Sequence, residues 1–356
     1  MTFFRTVFAT FFLVFPLLLF PNLKTPCFSY FQSDIEPLNE NGTLKILISE
    51  RVLEIEALKK KWEPLQDKVP PEFSSTFQTG SLELEQEGAG GTYILYDSSK
   101  NPKFVIKPID EDILCLNNPK GFASPFNDRE HRVKPEIPLY RSSLTEVLCY
   151  ELAKLCRLDH ITPMTYLSTV SHPCFFYLSE EIKPEKLCSI QTYIENSYSL
   201  HKILGELFAL NVSEEELQEY FDQEDFEDIN LFIWLTYDTD AHPENFRVYP
   251  KRVDEKGLTV YGLYKIDNSL SFPEKNLDFF NALMYFPNAL QPISSKIRQK
   301  IKELPLEKID QSISKYGLES TSFAFHERVS LLKKLTEEKE MTYYECNLRL
   351  SLIEKG

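Results

Sequence analysis

The chain has 356 residues, 42% of them hydrophobic, and a formal net charge of -15 from 54 acidic and 39 basic residues. That length can bury a sizeable core as one large domain or two lobes. The acidity makes nucleic acid a poor partner, because phosphate contacts need clustered Lys and Arg. The seven cysteines form no CxxC and no paired spacing, so they offer neither a disulfide framework nor a zinc site.

Residues 1–29 read as a signal peptide or membrane anchor. Arg5 precedes an apolar stretch over 7–20, interrupted by Thr10 and Pro16. This matches a signal-peptide core and falls short of the roughly 20 residues a spanning helix needs. A buried N-terminal helix is the plainer alternative. Residues 30–79 read as a polar linker followed by an amphipathic helix over 46–65. Leu47, Leu53, Ile55, Leu58 and Trp62 recur there at helical spacing, and Pro70-Pro71 closes the region. The basic run at 59–61 reads as a solvated helix face.

Residues 80–195 are strand-rich. Strands are expected at 82–84, 92–96 and 103–107, forming an antiparallel meander whose first turn is Gly88-Ala-Gly-Gly91. A loop over 111–140 follows, then a helix over 143–157 that buries Cys149 and Cys156. Strands at 164–170 and 174–178 and a short extended link at 191–194 complete this part. Residues 196–356 are mostly helical, with helices at 199–209, 213–221 and 226–237. A strand pair at 246–249 and 258–266 comes next, and a helical remainder after 289 completes the lobe. The pattern predicts an α+β fold of two lobes with a cleft between them.

Three clusters carry chemistry. Glycines at the first turn let backbone N–H groups approach an anion without Cβ interference, although a plain hairpin turn would look the same. No Gly-Lys-Ser/Thr follows, so the turn is not a P-loop. Phe104-Val-Ile-Lys107 places a lysine at the inner end of a strand, within reach of nucleotide phosphates, and Glu146 in the next helix could pair with it. The third cluster is the strongest. A very apolar helix runs into Asp238-Thr-Asp-Ala-His-Pro-Glu-Asn245, and the hairpin that leaves it delivers Asp267. Phosphoryl transfer needs such a set: one carboxylate for the acceptor hydroxyl, and an Asn and an Asp for magnesium.

Asp240-Ala-His-Pro-Glu-Asn245 resembles the D-x-H-x-x-N catalytic loop of the phosphatidylinositol 3-/4-kinase superfamily. Lys265-Ile-Asp-Asn-Ser-Leu-Ser-Phe-Pro273 is similar to the I-D-N-G-L-A-F-P metal segment of type II phosphatidylinositol 4-kinases. The glycine turn and Phe104-Val-Ile-Lys-Pro108 resemble the G-S-S-G-S-Y and F-K-P elements of that group. The motifs span about 80–290 in family order.

The resemblance implies a protein-kinase-like fold, with an N-lobe and hinge over 80–195 and a C-lobe over 196–356. It also implies an ATP-dependent kinase using Mg²⁺ or Mn²⁺. Asp240 would be the catalytic aspartate and His242 a transition-state stabiliser, with Asn245 and Asp267 holding the metal. Lys107 would bind phosphates with Glu146 as its partner. Gly88, Gly90, Gly91 and Thr92 would cover the phosphates, and Gln191, Tyr193 and Ile194 would lie in the hinge that touches adenine.

The acceptor stays open. Only Lys275 is basic within a dozen residues after Asp267, and the membrane-inserting cysteine-rich stretch of the type II enzymes is absent. A phosphoinositide lipid is the expected acceptor. A protein acceptor is the alternative, because the Thr239-Asp-Ala-His segment is also similar to the catalytic loop of HipA-type serine kinases. An inactive kinase-fold binding module is a further reading, and a metal-dependent hydrolase is disfavoured by the single histidine. An export signal conflicts with an ATP requirement. A retained membrane anchor with a cytosolic catalytic domain, or delivery into another cell, would reconcile them.

Overall fold

The computed structural model describes residues 43–353 except 125, 127–128, 178–184 and 277–278. The expected leader, the linker up to residue 42 and the end of the expected strand at 174–178 lie outside the described residues. Among the described residues, no helix is long and apolar enough to cross a membrane.

The architecture is α+β with two lobes. Helix α1 (Thr43–Trp62) buries Ile55 and Trp62, and a second helix, α2 (Pro71–Thr79), follows after a 3-10 turn (Glu63–Leu65) and a short link. The pair Pro70-Pro71 reads as a stop in the sequence. The second proline instead occupies the first helical position, where its missing N–H costs no hydrogen bond.

The first lobe is built on strands β1 (Ser81–Leu84), β2 (Tyr93–Tyr96), β3 (Pro102–Pro108), β4 (Thr165–Val170) and β5 (Lys186–Thr192), with α3 (Ser142–Leu155) between β3 and β4. They form one sheet in the order β1-β2-β3-β5-β4, every neighbour antiparallel. One face packs on α2, where Phe73 meets Phe104 edge-on at 5.3 Å. The other packs on α3, which buries Leu144, Val147, Leu148 and Leu152 along with both cysteines.

Two expectations fail here. Residues 174–177 form a turn and loop rather than a strand, and Phe175 leaves it to pack edge-on against Tyr93 at 5.1 Å. The missing strand is β5, whose last residues alone read as an extended link. It lies between β3 and β4, so Lys186 to Gln191 are all buried and the period-2 alternation is lost.

The second lobe begins with β6 (Tyr198–Ser199) and α4 (Leu200–Ala209). The helix expected over 213–221 shrinks to one turn, α5 (Leu217–Tyr220). Helix α6 (Gln223–Thr236) is buried on every side from Ile229 to Thr236, as its unbroken apolar run requires. Strands β7 (Phe246–Val253) and β8 (Thr259–Lys265) pair antiparallel, with β6 on the outer edge of β7. Helices α7 (Ser295–Lys302), α8 (Leu306–Lys315), α9 (Ser322–Leu335) and α10 (Tyr343–Ser351) close the lobe. They are core elements. Asn347 of α10 accepts from Trp234 Nε1 at 2.9 Å and from Asn281 Nδ2 at 3.1 Å, and donates to Asn230 Oδ1 at 3.2 Å, all buried.

Candidate active site

Strand β3 carries Lys107 opposite Ser189 of β5, and the first turns of α3 carry Glu146 beneath it. Lys107 Nζ lies 2.5 Å from Glu146 Oε1. The other Glu146 oxygen accepts from Gln191 Nε2 at 2.8 Å, so the buried carboxylate is fixed at both ends. Lys107 Nζ also lies 2.9 Å from Asp267 Oδ1, which belongs to the second lobe. Burial opposes the Lys107 charge, but Asp267 and Glu146 outweigh it and hold the ammonium well above its ordinary pKa. Burial likewise opposes ionisation of Asp267, and Lys107 overrides it, holding that carboxyl well below the usual range.

The glycine turn sits against residues 111–112. A Cβ on Gly91 would stand 2.5 Å from Glu111 Cβ, and one on Gly90 2.7 Å from Asp112 Oδ1. Gly91 donates to Glu111 O at 2.7 Å. Gly88 has φ +72, a left-handed value that glycine adopts freely. Lys120 donates to the carbonyls of Glu87 and Gly88 at 2.7 and 3.0 Å, and Asn118 Nδ2 to that of Ala89 at 2.8 Å. The carbonyls are thus tied down from behind. The N–H groups of residues 88–90 find no acceptor among the described residues, the arrangement an anion-binding backbone needs. Beneath the turn, Glu111 joins buried Lys186 at 2.7 Å and Tyr93 OH at 2.5 Å.

Helix α6 ends at Tyr237 with φ +48, and the chain turns into the loop 238–245. Asp238 Oδ1 accepts from the N–H of Asp240 at 2.8 Å, while its other oxygen lies 2.5 Å from buried Lys265 Nζ. That ammonium also donates to Ile266 O at 2.7 Å and Asp267 O at 3.3 Å. One buried ion pair therefore holds both the 240 loop and the 267 loop. Asp267 itself has φ +53, a conformation aspartate tolerates better than most residues.

Asn245 Nδ2 donates to Asp240 O at 2.8 Å and to Asp240 Oδ2 at 3.3 Å. His242 Nδ1 accepts from Glu244 N at 3.3 Å, which leaves Nε2 facing Asp240 Oδ2 at 3.6 Å. Burial and then Lys265 push the imidazole pKa down, which favours the neutral ring. Burial, then the like charges of Asp238 and Asp267, push the Asp240 carboxyl up to about 7.

Lys107, Glu146, Gln191 and Asp267 thus meet in one cluster, with Asp240, His242 and Asn245 in a second on the same loop system. The glycines reach the first cluster through Asp112, whose carboxyl is pushed up by burial and feels the Asp267 charge. Thr92 donates its N–H to Gly90 O at 3.1 Å. Tyr193 donates its N–H to Lys103 O at 2.8 Å, and Ile194 O accepts from Ser197 Oγ at 2.6 Å, where the chain crosses between lobes. Sequence reasoning missed Asp238, Lys265, Asn118 and Lys120. The signals were thin: Lys265 lies in an otherwise apolar strand, and the other three lie in loops.

Among the described residues, no three or more His, Cys, Asp or Glu side chains form a metal cage. Asn245 and Asp267 supply oxygen atoms only. This suits a hard cation such as Mg²⁺, which keeps water and takes further ligands from substrate phosphates.

No family model matches the chain. It is similar to plant proteins named phosphatidylinositol 4-kinase gamma. Gamma 6 of Arabidopsis thaliana is 23% identical over 320 residues, covering 81% of this chain and 45% of that protein. Gamma 4 of the same plant is 28% identical over 239 residues, covering 62% and 37%. Gamma 4 of Oryza sativa subsp. japonica is 25% identical over 232 residues, covering 63% and 37%. The matches span less than half the length of these curated relatives. Identities at this level support a kinase-like relationship.

Proposed function

We propose that this chain is an ATP-dependent kinase that transfers the γ-phosphate to a hydroxyl of a phosphoinositide lipid. The observation that carries the reading is the meeting of Lys107, Glu146 and Asp267 at one point, with Asp240 and Asn245 presented on the loop beside them.

Such transfer needs little covalent help from the protein; it needs positioning and neutralised charge. Lys107 would hold nucleotide phosphates, with Glu146 and Gln191 fixing its ammonium. The free N–H groups at 88–90 would face the same phosphates. Asn245 and Asp267 would hold Mg²⁺, which neutralises charge on the transferring group when bound. Asp240 would accept the proton of the attacking hydroxyl, and His242 would orient that carboxylate through Nε2–H. The names of the plant relatives favour a phosphoinositide acceptor, and the apolar stretch at 7–20 would bring the chain to a bilayer.

Nucleotide binding tests the reading before any acceptor is known. Isothermal titration of the full-length protein with ATP should give saturable, Mg²⁺-dependent binding that Asp267→Asn weakens strongly. Absence of nucleotide binding by the correctly folded parent would remove the proposal.

A further inference from the structure

Segment 111–140 brings one more cation to the site. Lys134 Nζ donates to the carbonyl of Thr239 at 3.4 Å, so its ammonium stands beside the residue that precedes Asp240. Its charge is also felt by Asp240, whose proton affinity it lowers. The segment is anchored there: Glu274 donates its N–H to Glu136 O at 2.9 Å, and Arg132 lies 3.7 Å from a Glu274 carboxylate oxygen. Thr239 in turn donates from N and Oγ1 to Leu270 O, at 3.3 and 2.9 Å, which places Lys134 on the side of the chain leaving Asp267. A small cavity is lined there by Lys134, Asp112, Ser142, Ser269 and Leu270.

The other cations around the loops that carry Asp240 and Asp267 are committed. Lys107 faces two carboxylates, Lys265 faces Asp238, and Arg132 faces Glu274. Lys134 is half-buried and, among the described residues, has no carboxylate at ion-pair distance. A single long bond to a neutral carbonyl leaves two of its three N–H donors available. A partly desolvated ammonium in this state is stabilised by an anion that arrives with a ligand. The acceptor hydroxyl must approach Asp240, so Lys134 stands where another part of the same headgroup can meet it. A chain with net charge -15 repels an anionic acceptor unless a local cation offsets it.

We infer that Lys134 binds the anionic phosphodiester of the molecule that carries the acceptor hydroxyl, selecting a phosphate-bearing polyol headgroup over a neutral one. The inference rests on the kinase reading and deepens it, and its test separates the two. Full-length parent, Lys134→Ala and Lys134→Arg would be assayed with four acceptors: phosphatidylinositol in phosphatidylcholine vesicles, soluble glycerophosphoinositol, myo-inositol and a generic protein. Thermal melting would check that each variant folds, and ATP titration would report nucleotide binding separately.

Loss of a charge-assisted contact should raise the KM of Lys134→Ala for both phosphodiester acceptors by about tenfold or more, with the KM for ATP within about twofold of the parent's. Lys134→Arg should recover most of that loss. The inference is overturned if the KM for ATP rises while the acceptor KM stays put. It is equally overturned if myo-inositol suffers the same loss, or if only the vesicle substrate responds, which would assign Lys134 to the bilayer surface. A parent that binds ATP but labels only protein acceptors removes this inference and leaves the kinase reading standing. A parent that binds no ATP removes both.

Discussion

Lys107 Nζ lies 2.9 Å from Asp267 Oδ1, across 160 residues of sequence, and this bond ties the first lobe to the second at the candidate site. The same ammonium is 2.5 Å from Glu146, so one cation serves a carboxylate from each lobe. Lys107→Met would leave the fully buried Glu146 carboxylate without its countercharge, at a cost of about 3–5 kcal/mol. Lys107→Arg keeps the charge but changes its geometry. We expect it to melt close to the parent while losing phosphotransfer by about 100-fold. Denaturation and initial-rate measurements on both variants separate stability from chemistry. Equal activity of Lys107→Arg and the parent would contradict the assignment.

The Asp240 carboxyl, pushed up to about 7 by burial and by Asp238 and Asp267, gives a pH signature. A base must be ionised to take a proton, so kcat/KM should rise with pH and level off above about 7. Lys265 favours the ionised form, hence Lys265→Met should move the rising limb to higher pH. Stability runs the other way. A carboxyl whose pKa is raised by folding stabilises the protein fully only below its unfolded value near 3.8, and that contribution fades as pH climbs towards 7. A flat activity profile between pH 5.5 and 8.5, about 1.5 units either side of that pKa, would exclude Asp240 as the base.

Asp238 and Lys265 are both fully buried and 2.5 Å apart, yet neither is placed to meet a substrate. Their role is to hold the 240 and 267 loops in register. Asp238→Asn should destabilise the protein by about 3–5 kcal/mol in urea, because it strands a buried ammonium. The double variant Asp238→Asn/Lys265→Met should recover part of that loss, and strictly additive single effects would argue against a coupled pair.

Two glycines make opposite predictions. Gly91→Ala would put a methyl 2.5 Å from Glu111 Cβ and 2.9 Å from Glu111 O, so the turn must shift, costing about 1–3 kcal/mol. It should also weaken ATP binding, since the N–H groups at 88–90 move with it. Gly205, inside α4, has open space where a methyl would stand, with nothing within 4 Å, and Gly205→Ala should stabilise by up to about 1 kcal/mol. Thermal melts of the pair decide this, and a stable Gly91→Ala protein with unchanged ATP binding would contradict the close packing.

Much of the fold was legible where burial is one-sided or complete over a long stretch. The apolar run of α6 and the alternation in the hairpin that follows located the loop at 238–245 and the return to Asp267. The order of Lys107, Glu146, Asp240, Asn245 and Asp267 along the chain followed from the ends of these strongly patterned elements. Strand β5 escaped because neighbours on both sides erase its alternation, and α2 escaped because a proline at a helix start looks like one at a helix stop. Lys265 and Asp238 were invisible as a pair, since nothing in a single sequence says that a strand lysine and a loop aspartate will be buried together. Lys134 and Lys120 lie in a loop without periodicity, where only the folded chain reveals what they touch.

The most direct measurement is transfer of label from γ-³²P-ATP by the full-length protein, with Mg²⁺ and phosphatidylinositol vesicles, beside Asp240→Asn and a generic protein acceptor. The expected result is labelled lipid that depends on Mg²⁺ and disappears with Asp240→Asn. Lipid labelling that survives Asp240→Asn, or no label on either lipid or protein by a folded, ATP-binding parent, would contradict the kinase assignment.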